Sequence, residues 1–436
     1  MVDILEANAI KFTETFRYPQ KKIFGTNFKR GLLYGIINYI QALFLSPFRY
    51  PLGYKKIKWE HRDVLFLYCT INQCRALNGI CAYLKERGVE VGEVQVKDLP
   101  LWKAYLYGSF RVVSLLKCYK ELDKEKRLIV NNSFSDFLLT FGIEHLLKEF
   151  LNKFKIRSIV LANDHSPYMR TALLLSPELN VSTYYVQHAA VTCKFPKLIS
   201  TYSFLDGLDS YNKYLQDKDC DSEKVYLIGG ARFDAAKVVR DSRESKTLGV
   251  ALTLRDKKEK WESLIDGLKK ELVGTKIIVR PHPRMNLAEI KAYCKEAGIL
   301  FSDSKKEDSF CFLNKIDLLI ANETSIHLDA IVMHVNTVLY AGLSDSDLRD
   351  HYGMIKSRLL SYSTELDELI AYIKAPNKFI PSEEAVRMYN ASYNTPFEYK
   401  VSYAIASIIY KQLKGLEPII DGMTYDNGVV TIDYAR

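Results

Sequence analysis

Short apolar runs alternate along the chain with longer segments whose apolar residues recur three and four positions apart. The runs predict buried strands at 63–69, 127–130, 158–162, 182–186, 202–205, 225–228, 248–254, 276–279, 299–301, 318–321 and 337–340. The amphipathic segments predict helices at 76–87, 134–154, 261–272, 383–392 and 398–414. Strands that alternate with helices in this way are typical of parallel sheets covered by helices on both faces.

The alternation is interrupted by the charged stretch 240–246, which has few apolar residues and is typical of a linker. At 436 residues the chain is long enough for two substantial cores. We therefore predict an α/β protein with two Rossmann-like, doubly wound domains that face a cleft, at 62–239 and 247–380. A basic amphipathic arm at 1–61 and C-terminal helices with a polar tail at 381–436 complete the predicted organisation.

The net charge of +9 is concentrated at the N-terminus, where residues 1–62 hold eleven Lys or Arg and four acids. Within this segment, residues 31–48 are uncharged, and the apolar residues at 32, 33, 36, 37, 40, 43 and 44 cover an arc of about 140° on a helix. Asparagine, glutamine and glycine make this amphipathic helix a poor membrane span. Two interpretations remain open: the helix lies in the interface of an anionic membrane, or it packs on the protein's own core.

Composition narrows the classes of function. No known nucleic-acid motif appears and no basic stripe recurs beyond residue 62, so we expect no nucleic-acid partner. The eight cysteines show neither CxxC pairs nor Cys/His ligand spacing, which predicts reduced thiols. The first residues include acids where a secretion signal needs basic residues. We expect a cytoplasmic protein that is peripheral on the inner face of the cytoplasmic membrane.

The most informative motif is Arg280-Pro281-His282-Pro283-Arg284, which directly follows a predicted strand. Guanidinium groups suit phosphate oxygens, and a histidine can donate a proton or a hydrogen bond to a leaving phosphate. The prolines restrict the backbone, so we expect a firm loop at the strand end. The alternative is a surface turn whose basic residues are solvated.

A second candidate for phosphate binding follows the predicted strand 318–321. Thr324 and Ser325 stand where a helix begins, and free backbone amides with nearby hydroxyls suit phosphate. The same residue types also serve as ordinary helix caps. Together with the Arg-Pro-His-Pro loop, the pair predicts a phosphate clamp on the second domain.

On the first domain, predicted strand ends carry titratable side chains. These are Asp164 and His165 after the strand 158–162, His188 after 182–186, and Asp206 after 202–205. Parallel strands end at one edge of their sheet, so we expect the loops to converge. A histidine or carboxylate placed there can remove a proton from an attacking hydroxyl. The alternative is that each is an ordinary loop aspartate or a hydrogen-bonded strand-end histidine.

In this order, the motifs resemble those of bacterial GT-B glycosyltransferases that build surface polysaccharides. The resemblance is one of pattern and covers residues 155–345. It is strongest for the groups with a histidine-proline motif: bacterial sialyltransferases, capsule Kdo transferases and CDP-glycerol glycerophosphotransferases. The motifs that carry it are Tyr185-Val186-Gln187-His188, Asp206, residues 225–234 with Gly230, Arg280-Pro281-His282-Pro283, Thr324-Ser325 and Asp329-Ala330.

The resemblance implies a donor site on the second domain. His282 would meet the donor phosphate, as a ligand or as the acid for the leaving group. Thr324 and Ser325 would bind donor phosphate, and Asp329 would hold the ribose. The remaining residues of the implied donor site are Arg280, Arg284 and Gly230.

The chain departs from the family pattern at the predicted base. The usual Gln-His-Gly is Gln-His-Ala here, and the acidic pair before a glycine in sialyltransferases is Leu-Asp-Gly. These changes leave the catalytic base open among His188, Asp164 and Asp206. We rank His188 and Asp164 together, and Asp206 third as a residue that orients the loop.

The resemblance implies a metal-independent, inverting displacement without a cofactor. A CMP-linked acidic sugar of the sialic acid or Kdo type is the first expected donor, and UDP-sugars are the second. The expected acceptor is a hydroxyl of a bacterial surface glycan or glycolipid. Asp345-Ser346-Asp347 matches a DxD metal pattern, but such matches arise often by chance.

Two other functions suit the same architecture. One is a nonhydrolysing UDP-sugar 2-epimerase, which needs neither an acceptor nor a membrane arm. The other is a non-catalytic, membrane-docked assembly protein of a polysaccharide system. Nucleotide binding distinguishes an enzyme from the assembly protein.

Overall fold

The computed structural model describes residues 2–13, 21–23, 26–28, 31–54, 57–58, 61–216, 219–236, 246–345, 347–375 and 380–433. The chain divides into two compact units. Unit 1 comprises Met1–Asp206, Ser210–Arg232 and Lys400–Arg436, and unit 2 comprises Gly207–Asp209 and Phe233–Tyr399. The predicted linker 240–246 lies outside the described residues, except for its last residue.

Helices and strands follow one another closely in both units. The helices are α1 Ile4–Ala7, α2 Ala9–Thr13, α3 Leu32–Arg49, α4 Ile71–Glu86, α5 Leu101–Ser109, α6 Val112–Glu121, α7 Lys124–Asn132, α8 Phe134–Lys153, α9 Pro167–Leu175, α10 Leu208–Leu215, α11 Lys258–Glu271, α12 Leu287–Glu296, α13 Ser309–Leu313, α14 Ile326–Val332, α15 Leu366–Lys374, α16 Glu383–Tyr389 and α17 Val401–Leu413. Short 3-10 turns occur at Val96–Asp98, Ala231–Ala235 and Ala341–Leu343.

The strands are numbered in the same way. They are β1 Lys21–Ile23, β2 Thr26–Phe28, β3 Val64–Tyr68, β4 Val91–Gln95, β5 Ser158–Leu161, β6 Ser182–Val186, β7 Tyr202–Leu205, β8 Lys224–Leu227, β9 Thr247–Leu252, β10 Lys276–Pro281, β11 Leu300–Phe301, β12 Leu318–Ala321, β13 Asn336–Tyr340, β14 Ser361–Ser363, β15 Met423–Asp426 and β16 Val429–Ile432. The strands β1 and β2 pair with each other in an antiparallel ribbon.

Unit 2 is built on a parallel sheet with the strand order β11-β10-β9-β12-β13-β14. Counted within the unit, this is the 3-2-1-4-5-6 order of a Rossmann sheet. Alternate residues of β12 belong to two different cores, Leu319 to one and Ile320 to the other, because helices cover both faces. The order reverses between β9 and β12, and sheets of this kind bind ligands at the carboxyl ends of the strands beside such a reversal.

Unit 1 contains a sheet with the order β15-β16-β8-β7-β6-β5-β3-β4. Its strands run parallel except for β15, which pairs antiparallel with β16. The order reverses between β3 and β5, and the strands β5 to β8 lie side by side beyond that point. The predicted fold class, two Rossmann-like α/β domains, is confirmed.

Residues 127–130, predicted as a strand, belong to helix α7. The Asp123 carboxylate accepts a hydrogen bond from the Lys126 amide at 2.8 Å and caps the first helical turn. Of the predicted strand only Val130 is buried, whereas Leu128 is 60% exposed. The prediction was wrong because an apolar run of four residues does not distinguish a strand from one face of a helix.

The predicted polar tail contains a hairpin that the sequence analysis missed. The hairpin β15–β16 extends the sheet of unit 1, since β16 pairs in parallel with β8. The predicted terminal segment 381–436 is divided: residues up to Tyr399 belong to unit 2, and those from Lys400 onward belong to unit 1. Strand β4 was missed as well, because glycine and glutamate interrupt its apolar pattern.

The segment predicted as an arm, 1–61, belongs to unit 1. On α9, the fully buried Arg170 donates hydrogen bonds to the Glu6 carboxylate and, at 2.8 Å, to the Lys197 carbonyl. Asn8 donates to the Thr140 hydroxyl at 3.0 Å. Buried polar contacts therefore tie the first helices to the rest of the unit. None of the helices in the described residues is long and apolar enough to cross a membrane.

We expect the substitution Gly142→Ala to destabilise unit 1 by about 1–3 kcal/mol, because an added Cβ overpacks the crossing of α5 and α8. That Cβ would lie 1.7 Å from the backbone oxygen of Ala104, which cannot move alone. The matched control is Gly267→Ala on α11, whose Cβ would meet only the end of the flexible Leu366 side chain. Urea unfolding compares the variants, and equal midpoints would contradict the expectation.

Candidate functional site

Unit 1 gathers polar side chains at the carboxyl ends of four adjacent strands. Asp164 and its neighbours follow β5, and Asp206 follows β7. Both aspartates are buried. The other members of the group are Asn163 and His165 after β5, Gln187 and His188 after β6, and Arg232 after β8, where Gly230 follows the strand end.

The hydrogen bonds of His165 determine which of its ring nitrogens carries the proton. Nδ1 lies 3.0 Å from Asp164 Oδ1, and Nε2 lies 3.1 Å from Asn163 Nδ2. The Asn163 side-chain oxygen accepts from the Ser166 amide at 2.7 Å, so the atom facing Nε2 is the amide nitrogen, a donor. Nε2 therefore accepts, and Nδ1 donates to Asp164. A carboxylate behind an imidazole in this tautomer stabilises the ring when Nε2 takes up a proton.

Gln187 and Arg232 hold the loop that carries Asp206. The Gln187 side-chain oxygen accepts from the Asp206 amide at 3.0 Å. The Arg232 guanidinium donates to Asp206 Oδ2 at 2.6 Å, and the carboxylate is only 2% exposed. The guanidinium neutralises the buried charge and fixes the carboxylate in place.

His188 lies in the same group but has a low affinity for protons. Burial lowers its pKa to about 4, and the nearby charge of Arg232 acts in the same direction. The ring is therefore neutral at physiological pH. It lines the site as a weak base.

In unit 2, the side chain of Arg280 is turned into the domain. Its two terminal nitrogens donate to the Ser302 hydroxyl at 2.9 Å and to the Glu307 carbonyl at 2.8 Å. The guanidinium also lies over the ring of Phe312, 5.5 Å from the centroid. Arg280 thus anchors the end of β10 to the segment that follows β11. Its terminal donors, predicted to contact phosphate, are engaged within the protein.

The loop after β10 holds His282 in one tautomer. His282 Nδ1 accepts from the Arg284 amide at 3.2 Å, so the hydrogen of the neutral ring is on Nε2. Burial lowers the pKa of His282 below its usual value, and the Arg284 charge adds to this effect. The Arg284 side chain is exposed. The loop therefore presents a neutral N–H donor beside a guanidinium.

Two buried residues that the sequence analysis did not select hold the turn after β12. Asn322 Nδ2 donates to Asp256 Oδ1 at 3.0 Å and joins the loops after β9 and β12, where the strand order reverses. His327 Nε2 donates to the Asn322 carbonyl at 3.0 Å, and Nδ1 accepts from the Thr337 hydroxyl at 2.6 Å. Hydrogen bonds of Asn322 and His327 therefore hold the turn in place.

Thr324 and Ser325 lie in this turn, directly before α14. Ser325 makes no side-chain hydrogen bond that caps the helix, so its hydroxyl does not act as an ordinary cap. Asp329, within α14, accepts from the Ser309 hydroxyl at 3.3 Å. Because β9 separates β10 from β12, the loops of His282 and Thr324 leave one edge of the sheet roughly 10 Å apart.

We expect His327 to make the stability of unit 2 depend on pH. Complete burial lowers its pKa from 6.5 to about 4. Below pH 6.5 the histidine of the unfolded chain binds a proton, whereas the buried ring of the folded protein stays neutral. The free energy of unfolding therefore falls as the pH decreases towards 4, by about 3 kcal/mol from this group. Denaturant unfolding across this range should show a smaller loss for His327→Gln. An equal loss in both proteins would contradict the expectation.

The structure adds partners to the residues selected from sequence. It groups Asp164, His188 and Asp206 at one edge of the unit 1 sheet, and it places the predicted donor residues of unit 2 on the loops after β10 and β12 and on α14. His165 was named from the sequence among the titratable strand-end side chains but was not ranked as a base. No sequence signal pairs Asp256 with Asn322, which are 66 residues apart.

The first acid of the DxD match is paired with lysine side chains. Asp345 makes a salt bridge with Lys260 at 2.7 Å and lies 3.9 Å from the Lys257 ammonium. In the described part of the chain, no three His, Cys, Asp or Glu side chains come together in a group that could hold a metal ion.

Similar solved structures share this architecture. A UDP-N-acetylglucosamine 2-epimerase from Neisseria meningitidis, bound to UDP-GlcNAc, aligns over 81% of this chain and 99% of its own with 14% identity and a TM-score of 0.52. Another UDP-N-acetylglucosamine 2-epimerase aligns over 84% of this chain and 100% of its own with 12% identity and a TM-score of 0.53. The chain has the GT-B fold.

These similarities concern the fold alone, because the identities are low. The wall teichoic acid polymerase TagF also aligns, over 88% of this chain and 98% of its own, with 13% identity and a TM-score of 0.49. No protein-family model matches the sequence, and no match was found among curated proteins.

Proposed function

We propose that this GT-B chain is a glycosyltransferase that takes a sugar from a nucleotide-sugar donor. The observation that carries the proposal is the state of His282, a neutral imidazole at the end of a Rossmann strand with its hydrogen on Nε2. A preorganised donor of this kind stabilises the negative charge that develops on a phosphate oxygen as its bond to the sugar breaks.

The other residues of unit 2 divide between contact and positioning. The exposed guanidinium of Arg284 adds a charge-assisted hydrogen bond to the phosphate. Arg280 acts through the loop, because its own terminal donors are engaged by Ser302 and Glu307. Thr324 and Ser325 are proposed as further phosphate contacts, and Asp329 as the ribose contact.

In unit 1, we assign proton removal to the pair Asp164 and His165. The acceptor oxygen attacks the anomeric carbon, and the bond from that carbon to the phosphate oxygen breaks. The hydroxyl proton passes to His165 Nε2, and the Asp164 carboxylate stabilises the resulting imidazolium. Asn163 Nδ2 donates to Nε2, so the acceptor hydroxyl must replace that hydrogen bond.

This assignment gives a separate role to each of the three candidate bases that the sequence left open. Asp164 acts as the carboxylate behind His165. The pKa of His188, lowered to about 4, makes it a poor proton acceptor at neutral pH. Asp206 is paired with Arg232 and positions the loop. Attack by the acceptor on the face opposite the phosphate inverts the anomeric centre, and it uses no metal ion.

The identity of the donor and acceptor rests on the motif resemblance. We propose a CMP-linked acidic sugar of the sialic acid or Kdo type as the donor, with UDP-sugars second. The proposed acceptor is a hydroxyl of a bacterial surface glycan or glycolipid.

Two measurements test the proposed function. Calorimetric titration with CMP, CDP and UDP should detect nucleotide binding that weakens in His282→Ala. Incubation in D₂O with CMP-sialic acid, CMP-Kdo or UDP-GlcNAc then separates the reaction classes. Release of free nucleotide without deuterium in the sugar supports transfer to an acceptor or to water. Deuterium at C2 of UDP-GlcNAc would identify a 2-epimerase. The absence of all nucleotide binding would support the non-catalytic assembly protein.

A further inference from the structure

Helix α3 packs on unit 1 mainly through residues outside its apolar arc. None of the seven apolar residues in the predicted arc is buried. Leu33 is 66% exposed and Phe44 is 70% exposed, and one turn further Phe48 is 88% exposed. The buried residues of the helix are Tyr34, Gly35, Tyr39 and Ser46. Ile36 packs against the core of unit 1, but four of the seven apolar residues, Leu32, Leu33, Ile40 and Phe44, are exposed. Most of the apolar arc therefore faces away from the protein's own core.

Specific contacts prevent the helix from rotating its apolar arc inward. Gly35 lies so close to α8 that a Cβ there would be 2.6 Å from the Cβ of Phe134. The buried hydroxyl of Tyr39 donates to the carbonyl of Tyr105 at 2.5 Å. Rotation of α3 would leave that hydroxyl without its partner and would force a larger residue into the place of the glycine.

Helices α5 and α6 also carry exposed apolar side chains. Beyond the end of α3, Leu52 is 71% exposed, and its carbonyl accepts from the indole of Trp102 at the start of α5. One and two helical turns further along lie Leu106 and Phe110, the latter 75% exposed. On α6, Val113 and Leu116 are exposed three residues apart. We call the exposed side chains of Leu33, Ile40, Phe44, Phe48, Leu52, Leu106, Phe110, Val113 and Leu116 the apolar surface.

The apolar surface is concentrated in two short parts of the chain. Phe44, Phe48 and Phe110 are the exposed phenylalanines of the described residues. Clusters of exposed apolar side chains on a folded protein mark surfaces that contact another protein, a ligand or a membrane.

The segments that carry the apolar surface contain no acidic residues. Between Glu14 and Glu60 the chain has nine Lys or Arg and not one Asp or Glu. Between Asp98 and Glu121 it has four Lys or Arg and again no acid. Arg49 at the end of α3 and Lys117 and Lys120 on α6 are exposed. The charge that these two segments themselves carry is therefore of one sign, and Glu149 of α8 pairs with Lys103 on α5 at 2.8 Å.

This charge selects among the possible occupants. A second copy of the chain would bring a surface of the same positive charge against the first, which is unfavourable. The helices of the described residues are too short or too polar to cross a bilayer. An anionic bilayer offers both an apolar interior for the phenylalanines and negative headgroups for the basic residues.

We propose that the apolar surface docks unit 1 on an anionic lipid bilayer, with α3 lying in the plane of the interface. Phe44, Phe48 and Phe110 enter the acyl boundary, and the flanking basic residues meet the headgroups. The contact is peripheral and reversible, because it rests on a few side chains and on charge. The proposal does not depend on the proposed glycosyl transfer, since lipid binding needs neither donor nor acceptor.

Flotation with lipid vesicles tests the docking. The full chain should float with phosphatidylcholine vesicles that contain about 30 mol% phosphatidylglycerol and should bind vesicles of phosphatidylcholine alone at least about tenfold more weakly. The double variant Phe44→Glu/Phe48→Glu should lose about tenfold or more of the binding to the anionic vesicles. About 0.5 M NaCl should weaken binding by the full chain, because it screens the headgroups.

The matched control is the double variant Val273→Glu/Leu416→Glu. It also replaces two exposed apolar residues with glutamate, 89% and 56% exposed, but far along the chain from the apolar surface. It should float like the full chain. Thermal unfolding checks that both variants fold. Equal flotation of the two double variants would overturn the proposal, as would a dimer in light scattering that only Phe44→Glu/Phe48→Glu abolishes.

Discussion

Replacing His282 with alanine is expected to reduce turnover of the nucleotide-sugar donor by about a hundredfold or more, the usual effect of losing a preorganised donor at a reacting phosphate. The reason is the tautomer of the ring. The Arg284 amide donates to Nδ1, and burial keeps the ring neutral, so Nε2–H is ready to stabilise the leaving phosphate without rearrangement. Initial rates of nucleotide release give the effect directly.

Two further variants make the His282 result specific. Glutamine places an N–H close to the position of Nε2, so His282→Gln should recover part of the lost rate. His334 is an exposed histidine of the same unit, and His334→Asn should leave the rate unchanged. If His282→Ala turns over like the unchanged protein, the phosphate is not bound at this loop and the proposed function fails.

His165→Ala and Asp164→Asn are both expected to reduce transfer by about 10²–10⁴-fold, the range for losing a general base. Alanine removes the proton acceptor. Asparagine removes the carboxylate that keeps the proton on Nδ1, and its amide can donate to Nδ1, which would move the ring hydrogen to Nε2. Binding of the nucleotide, measured by calorimetry, should change little in either variant.

A comparison with His188 tests which histidine removes the proton. His188→Gln should lose far less activity, because its pKa of about 4 already makes the ring a weak proton acceptor. A larger loss in His188→Gln than in His165→Ala would reverse the assignment.

Long apolar runs made most of the fold predictable. The strands β9, β10 and β12 follow such runs, and each is buried on both faces, so no tertiary information was needed to find them. The errors fall where the pattern is short or mixed. Residues 127–130 are helical, and Asp123 caps the first turn of their helix. β15 and β16 have only four residues each; they pair with each other, and β16 also pairs with β8.

The candidate site was only partly predictable, because a motif identifies residue types and not their partners. The sequence pointed to Arg280 and His282 alike. In the structure the Arg280 guanidinium donates to Ser302 and Glu307. The ring of His282 instead accepts from the Arg284 amide in its own loop, which keeps the ring hydrogen on Nε2. The order of the candidate bases likewise follows from the hydrogen bonds of His165, which no spacing along the chain reveals.

Helix α3 shows most clearly where the two kinds of information separate. Its residues alone specify a helix with one apolar and one polar face, since intervals of three and four residues place side chains on a common side. They do not specify which face meets the protein, because a helix pattern records the direction of side chains and not the surfaces around them. That was decided by Gly35 against Phe134 and by the hydroxyl of Tyr39 on Tyr105, contacts that exist only after distant parts of the chain have packed.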